Sequence, residues 1–248
     1  MPVFFIHSKQ IIGGVLQLTG PLVRHVGGAL RQQIGDRIFV IDEQKIGYDV
    51  QLLEVTPKRI VGKVLQEKRK APLSPLSVTL GQAILKSKKM DWILQKATEL
   101  GVSRIVPLVT ERTVVAPRPE RVEIQHHRWE EILKESAQQS GRWEIPQLDF
   151  PTDFSRLIKE SPSFAFSLLP WEGEEKKGLR EVLQSSLRGP KILVLIGPEG
   201  GFSDPEVLLA REHHFIPVSL GWRILRAETA CLATLAMLQY EIGDMGRV

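Results

Sequence analysis

Lys191-Ile192-Leu193-Val194-Leu195-Ile196-Gly197-Pro198-Glu199-Gly200-Gly201-Phe202-Ser203-Asp204-Pro205-Glu206 is the stretch that decides the fold. After one lysine its first residues are continuously apolar, the pattern of a strand buried on both faces of a parallel sheet. A glycine bend follows. Ser203 and Glu206 then stand at capping-box spacing with Pro205 in the first turn, so the spacing predicts a helix starting there. A strand, glycine bend and helix in succession invite a phosphate-binding reading. The chemistry argues against it: Pro198 removes an N–H donor, Glu199 puts an anion where phosphate would sit, and neither GxxxxGK[ST] nor GxGxxG is present. Three glycines still permit positive φ and close backbone approach, which suits a flat, uncharged or cationic ligand.

Outward from this stretch, strands and helices alternate. Val78-Thr79-Leu80 reads as a strand, followed by a helix that Ser87 caps, with Met90, Ile93, Leu94, Ala97 and Leu100 as its apolar stripe and Gly101 as its stop. Next come the strand at 104–109, a helix from about Arg121 to Gln139, a strand at 164–169, a helix at 179–187, a strand at 215–220 and an alanine-rich helix at 229–240. Such alternation implies a parallel sheet layered by helices, with ligands at the carboxyl ends of the strands.

The front of the chain differs. Residues 3–66 carry short β-branched runs, Val3-Phe4-Phe5-Ile6, Val15-Leu16-Gln17-Leu18, Arg37-Ile38-Phe39-Val40-Ile41 and Arg59-Ile60-Val61-Gly62-Lys63-Val64-Leu65, punctuated by Gly35-Asp36 and Gly47. Basic and apolar side chains interleave at 58–63, as in half-buried antiparallel strands, so a small β-barrel or sandwich is expected. Residues 67–75, EKRKAPLSP, read as a linker, with the domain boundary near Ala71: 1–70 in front, 71–248 behind. Residues 1–75 hold 11 Lys/Arg against 6 Asp/Glu, whereas the rest holds 22 against 23, so the net +4 originates in the front segment. A basic front module on a near-neutral body suggests polyanion docking.

Composition excludes several classes. With 42% apolar and 25% charged residues the chain is globular rather than disordered. One cysteine, Cys231, permits no internal disulfide and no Cys-rich zinc cluster, and it reads as a buried small hydrophobe in a reducing, cytoplasmic protein. Neither a signal peptide nor a membrane span is expected. His126-His127 and His213-His214 are adjacent pairs without metal-ligand spacing, so no metal is expected.

Two loops at strand ends are therefore the candidates for chemistry: the 197–203 bend, which is otherwise a tight turn without a ligand, and Leu220-Gly221-Trp222-Arg223-Ile224-Leu225-Arg226-Ala227-Glu228-Thr229, whose two arginines suit an RNA phosphate or a developing negative charge, or else are surface residues with Glu228 as a partner. GPEGGFS at 197–203 with LGWRILRAETA at 220–230 resembles the ribosomal small-subunit RNA (uracil-N3)-methyltransferase family, RsmE, of the SPOUT class. KSKKMDWILQKATELGV at 86–102, PLVTERTVV at 107–115 and RWEEILKESAQQSGR at 128–142 extend the likeness, while Trp222 stands where the family usually has proline and Ala227 where it has threonine.

The resemblance implies a PUA-like RNA-binding β-barrel domain and a SPOUT-type domain, a parallel sheet with helices on both faces tied in a C-terminal trefoil knot. It implies S-adenosylmethionine as methyl donor, homodimerisation through the C-terminal domain, and methylation of N3 of one uridine in 16S rRNA. Cofactor residues implied are Leu168, Leu169, Ile196, Gly197, Pro198, Gly200, Gly201, Leu220, Gly221, Ile224, Leu225 and Arg226. Arg226 is expected to stabilise or orient the uracil, with Glu199 or Glu228 as proton acceptor. Arg24, Arg31, Lys58, Arg59, Arg112, Gln139, Arg142 and Arg223 are expected to contact RNA. The rival reading is a noncatalytic ribosome-assembly factor with a vestigial pocket.

Overall fold

The computed structural model describes residues 3–29, 32–69, 74–115, 119–185 and 189–246. The chain divides into two compact units, residues 1–73 with 137–144 and residues 74–136 with 145–248. Ala71, expected at the domain boundary, lies outside the described residues.

The first unit holds strands β1 (Val3–Phe5), β2 (Ile11–Ile12) and β3 (Val15–Thr19), the one-turn helix α1 (Pro21–Val23), and strands β4 (Arg37–Ile41), β5 (Gly47–Val55) and β6 (Arg59–Lys68). They form one six-stranded sheet, ordered β1-β4-β5-β6-β3-β2, and among the described residues no second sheet completes a sandwich. Pairing is antiparallel except that β1 runs parallel to β4. Alternate residues such as Leu16 and Leu18, Ile38 and Val40, and Val50 and Leu52 are buried in a common core with Phe4 and Ile60.

Two expectations need correction here. Gly47 is the first residue of β5 rather than a break: it pairs with Ile41 and Lys68, and the rings of Phe39 and Trp143 occupy the space a Cβ would need. The charged start of the expected linker, Glu67-Lys68, belongs to β6, where Lys68 pairs with Gly47 across the ladder.

The second unit follows as β7 (Ser77–Ala83), α2 (Ser87–Glu99), β8 (Arg104–Val109), α3 (Val122–Gln139), β9 (Gln147–Leu148), β10 (Thr152–Asp153), α4 (Phe154–Leu157), β11 (Phe166–Pro170), α5 (Leu179–Ser185), β12 (Lys191–Ile196), α6 (Asp204–Glu212), β13 (Ile216–Val218) and α7 (Ala227–Glu241). The sheet is parallel throughout, ordered β10-β8-β7-β12-β11-β13, with β9 also on β8. The two faces of β12 explain its uninterrupted apolar run. Ile192, Val194 and Ile196 enter one core with residues of α2 and α7, whereas Leu193 and Leu195 enter another with residues of α4 and α6. Helices thus cover both faces, as the sequence pattern requires.

Most element ends agree with the sequence to within a few residues, the usual uncertainty of frayed termini. Ser87 is the first helical residue of α2 rather than its cap; Lys86 holds the cap position without a side-chain hydrogen bond. At the amino end of β8, Arg104 is clamped by Asp149 and Glu160, and these two hydrogen-bonding carboxylates hold its guanidinium firmly charged. The opposite, carboxyl end of the sheet is where the chain is shaped for a ligand.

Candidate active site

Because β11, β12 and β13 are parallel, they end side by side at Pro170, Ile196 and Val218. A cavity of about 520 Å³ opens there, walled by residues 170–172, 196–202 and 219–227 with Lys89 and Ala230. That volume is ordinary for a small-molecule site.

The glycine bend is held from behind. The Gly201 N–H donates to the Pro198 carbonyl at 3.0 Å, closing the turn. Gly201 has φ +69°, and a Cβ there would come within 2.2 Å of Glu172 Oε1. Only glycine lets the Glu172 carboxylate lie against the bend. Beyond it, the Ser203 N–H donates to Glu206 Oε2 at 2.9 Å while Ser203 Oγ accepts from the Glu206 N–H at 3.4 Å, completing the predicted capping box. The loop after β8 braces both. The Glu111 N–H donates to Glu206 Oε1 at 2.9 Å, Ser203 Oγ donates to Glu111 Oε2 at 2.5 Å, and Arg112 Nη1 donates to the Gly200 carbonyl at 2.8 Å.

The facing wall is looser. Gly221 has φ +117°, and its N–H donates to Ser219 Oγ at 3.3 Å. Trp222 and Ile224 are 87% and 85% exposed, with the Arg223 guanidinium 4.9 Å from the Trp222 ring centroid. Arg226 caps α7 through its backbone, its carbonyl accepting from the Ala230 N–H at 2.8 Å, which leaves its exposed side chain on the cavity wall.

Two carboxylates singled out as proton acceptors come together around one cation. Lys89 Nζ lies 3.5 Å from Glu199 Oε1 and 3.4 Å from Glu228 Oε2. Glu199 lines the cavity; Glu228, in the first turn of α7, does not.

The structure gathers ten of the twelve expected cofactor residues on the cavity wall: Ile196, Gly197, Pro198, Gly200, Gly201, Leu220, Gly221, Ile224, Leu225 and Arg226. Leu168 and Leu169 are not on that wall. Both are fully buried in the β11 strand and pack into the two cores, and the wall is formed by the residues after them, Pro170, Trp171 and Glu172. Sequence reasoning missed Glu172 and Lys89. The rule that parallel strands present ligands at their carboxyl ends points to Glu172, whereas Lys89 carries no local signal beyond its place in a helix.

The expected RNA contacts divide between the units. Arg24 and Lys58 are exposed in the first unit, and Arg59 is engaged by both Glu54 oxygens at 2.8 and 2.7 Å. Gln139 ends α3, Arg142 follows it half-buried, and Arg31 lies outside the described residues. Arg112 is exposed and donates from Nη1 to the Gly200 carbonyl at 2.8 Å. Cys231 is fully buried, and burial pushes its thiol far up, which suits packing and not nucleophilic attack. Among the described residues no acid, histidine and cysteine cluster is arranged to hold a metal, and no helix is long and apolar enough to cross a membrane.

A family described as RNA methyltransferase domain matches residues 72–239. The chain is 31% identical to Ribosomal RNA small subunit methyltransferase E of Aquifex aeolicus, over 96% of this chain and 99% of that one. Among solved structures it is similar to Ribosomal RNA small subunit methyltransferase E of Neisseria gonorrhoeae bound to S-adenosyl methionine, with TM-score 0.86, 32% identity and 99% of each chain covered. A Legionella pneumophila methyltransferase in complex with SAM superposes with TM-score 0.87 at 32% identity over 98% of each chain.

Proposed function

The chain belongs to the RNA methyltransferase family that includes the small-subunit ribosomal RNA methyltransferases E, and from that premise we propose that it methylates N3 of a uridine in 16S rRNA with S-adenosylmethionine as donor. The observation that carries the cofactor assignment is the donor set of the cavity: two backbone bends, a glycine whose missing Cβ makes room for Glu172, and Glu199 on a bend without lysine. These groups fit an adenosyl sulfonium, which is cationic and has no phosphate, better than any nucleoside polyphosphate. Bound there, the sulfonium supplies an activated methyl group.

The chain's own residues do the rest. The bends at 196–202 and 219–227 supply backbone donors and acceptors for the nucleoside, and Glu172 complements its positive charge. Uracil N3 is a weak nucleophile while protonated. Glu199, which reaches the cavity, accepts that proton, and the Arg226 guanidinium stabilises the negative charge left over N3 and its flanking carbonyls.

The finer features follow from the same reading: a PUA-like barrel built on the β1-β4-β5-β6-β3-β2 sheet, a division near Ala71, a trefoil knot in the C-terminal part, homodimerisation through that part, and action in the cytoplasm on the small subunit. The basic surface of the first unit supports RNA docking. A noncatalytic assembly factor is disfavoured by a cavity whose glycine bend is braced from behind by Glu111, Arg112 and Glu206. The decisive experiment is incubation of unmodified small subunits with the protein and S-adenosylmethionine, followed by mass spectrometry of the rRNA nucleosides. Appearance of N3-methyluridine is expected; cofactor binding without any methylated nucleoside would leave the noncatalytic reading standing.

A further inference from the structure

Lys89 sits where helix electrostatics disfavour it. It lies in the first turn of α2, beside Lys88 and with no acid in that turn, at the positive end of the helix dipole. Two acids distant in sequence offset this: Glu199 from the glycine bend and Glu228 from the first turn of α7, at 3.5 and 3.4 Å. Glu228 Oε2 is buried and has no hydrogen-bond partner, so its contact with the ammonium is ionic only. The ammonium keeps N–H donors for a third group. Lys89 and Glu199 both face the cavity, whereas the Glu228 side chain is only 16% exposed.

Resting on the uracil reading above, we infer that Lys89 and Glu199 form a donor–acceptor pair that reads the base, with Glu228 as the positioning residue that anchors Lys89. The edge of uracil offers a donor at N3–H between two carbonyl acceptors. Glu199 accepts from N3–H, and Lys89 donates to the adjacent carbonyl oxygen. Cytosine offers at the same two positions a lone pair at N3 and an amino donor at C4. The carboxylate then faces a lone pair and the ammonium faces an N–H, so both contacts turn repulsive, and adenine fails in the same way. Guanine repeats the uracil pattern at N1–H and O6, so this pair separates uracil from cytosine and adenine but not from guanine. A site built to pair with polar edges rejects the mismatched analogue strongly, because its own groups are left unpaired.

The test uses the full chain and small subunits carrying either uridine or cytidine at the modified position, once that position has been mapped. Methylated nucleosides are quantified to give kcat/KM on each RNA; where turnover on cytidine is undetectable, the ratio of competitive inhibition constants replaces it. S-adenosylmethionine affinity is measured by calorimetry as a readout independent of turnover. Lys89→Met and the more conservative neutral variant Lys89→Gln should bind the cofactor like wild type, yet narrow the uridine-to-cytidine ratio at least about tenfold. Lys89→Arg should restore most of it, and Glu228→Gln should fall between. Equal losses on both RNAs, or loss of cofactor affinity in step with turnover, would reduce Lys89 to a structural ion pair and overturn the inference. Wild-type protein forming no methyluridine would sink the functional reading and this inference together; methyluridine formed with an unchanged ratio would sink only the inference.

Discussion

Arg112 reaches 88 residues along the chain to donate from Nη1 to the carbonyl of Gly200, joining the loop after β8 to the glycine bend of the cavity. A charged donor to a backbone carbonyl in a partly exposed setting contributes modestly to global stability. It matters more for the bend, whose backbone atoms must be in place before a ligand arrives. Arg112→Ala is therefore expected to bind S-adenosylmethionine about tenfold more weakly by calorimetry, with thermal unfolding nearly unchanged. Equal affinity in the variant would show that the bend holds its shape through Glu111, Ser203 and Glu206 alone.

Gly201 meets two separate constraints. Its positive φ costs a side-chain-bearing residue about 1 kcal/mol, and an added Cβ collides with the end of the Glu172 side chain. That side chain can swing away, so Gly201→Ala should lower stability only by about 1–2 kcal/mol while displacing the carboxylate from the cavity. Cofactor affinity should fall much further than the unfolding midpoint implies, and Glu172→Ala should reproduce the affinity loss without the stability loss. If Glu172→Ala binds normally, the carboxylate has no part in holding the ligand.

How much of this was legible beforehand follows from the range of each interaction. The β12 strand, the bend and the α6 cap were readable because apolar runs, glycine and the Ser203–Glu206 spacing act within a few residues. β5 was missed because Gly47 and Asp49 are poor strand formers by local preference, and only cross-strand pairing with β4 and β6 holds them extended. The Lys89 cluster joins positions 89, 199 and 228, and no local pattern reports such a meeting. Leu168 and Leu169 illustrate the reverse: the right strand is legible, but in a sheet covered on both faces its interior residues belong to the cores and only its carboxyl end lines the cavity.

Tyr48 gives the first unit a defined alkaline limit. Its hydroxyl donates to Asp42 Oδ2 at 2.9 Å, and burial, followed by the Asp42 carboxylate, pushes the phenol from its ordinary 10.0 up to about 12. The folded state keeps a proton that the unfolded chain releases. Tyr48 thus contributes its full share of stability below pH 10 and loses it progressively from there to about pH 12. In a Tyr240→Phe background, absorbance of tyrosinate should report this late ionisation alone. Tyr48→Phe should be less stable at neutral pH, since Asp42 Oδ2 loses its partner, but its stability should fall less over the alkaline interval. A parallel decline in both proteins would exclude the phenol as its cause.

Lys58 and Arg59 are adjacent basic residues that are not equivalent. Arg59 is engaged by both Glu54 oxygens, which hold its guanidinium more firmly charged but compete with an RNA phosphate. Lys58→Ala should weaken RNA binding and reduce the slope of log affinity against log salt by about 1. Arg59→Ala should do so less, and Glu54→Ala should strengthen binding by freeing the guanidinium. Unchanged salt slopes in all three would move the RNA surface away from this turn.

Arg226 offers the sharpest separation of binding from chemistry. Its carbonyl begins α7 and its backbone shapes the cavity wall, but neither depends on the guanidinium, and the side chain is exposed. Removing the side chain should leave the fold and the cofactor's backbone contacts in place. On the proposed mechanism, what is lost is a cation facing the charge that develops on uracil as N3 gives up its proton, an interaction stronger in the transition state than in the ground state. Arg226→Ala is accordingly expected to bind S-adenosylmethionine with near-normal affinity while single-turnover methylation falls about 100-fold. Arg226→Lys should recover part of the rate, since it keeps the charge and loses the planar fork. Near-normal single-turnover methylation by Arg226→Ala would remove the guanidinium from the mechanism and leave the proton transfer to Glu199 as the chain's principal contribution to the chemical step.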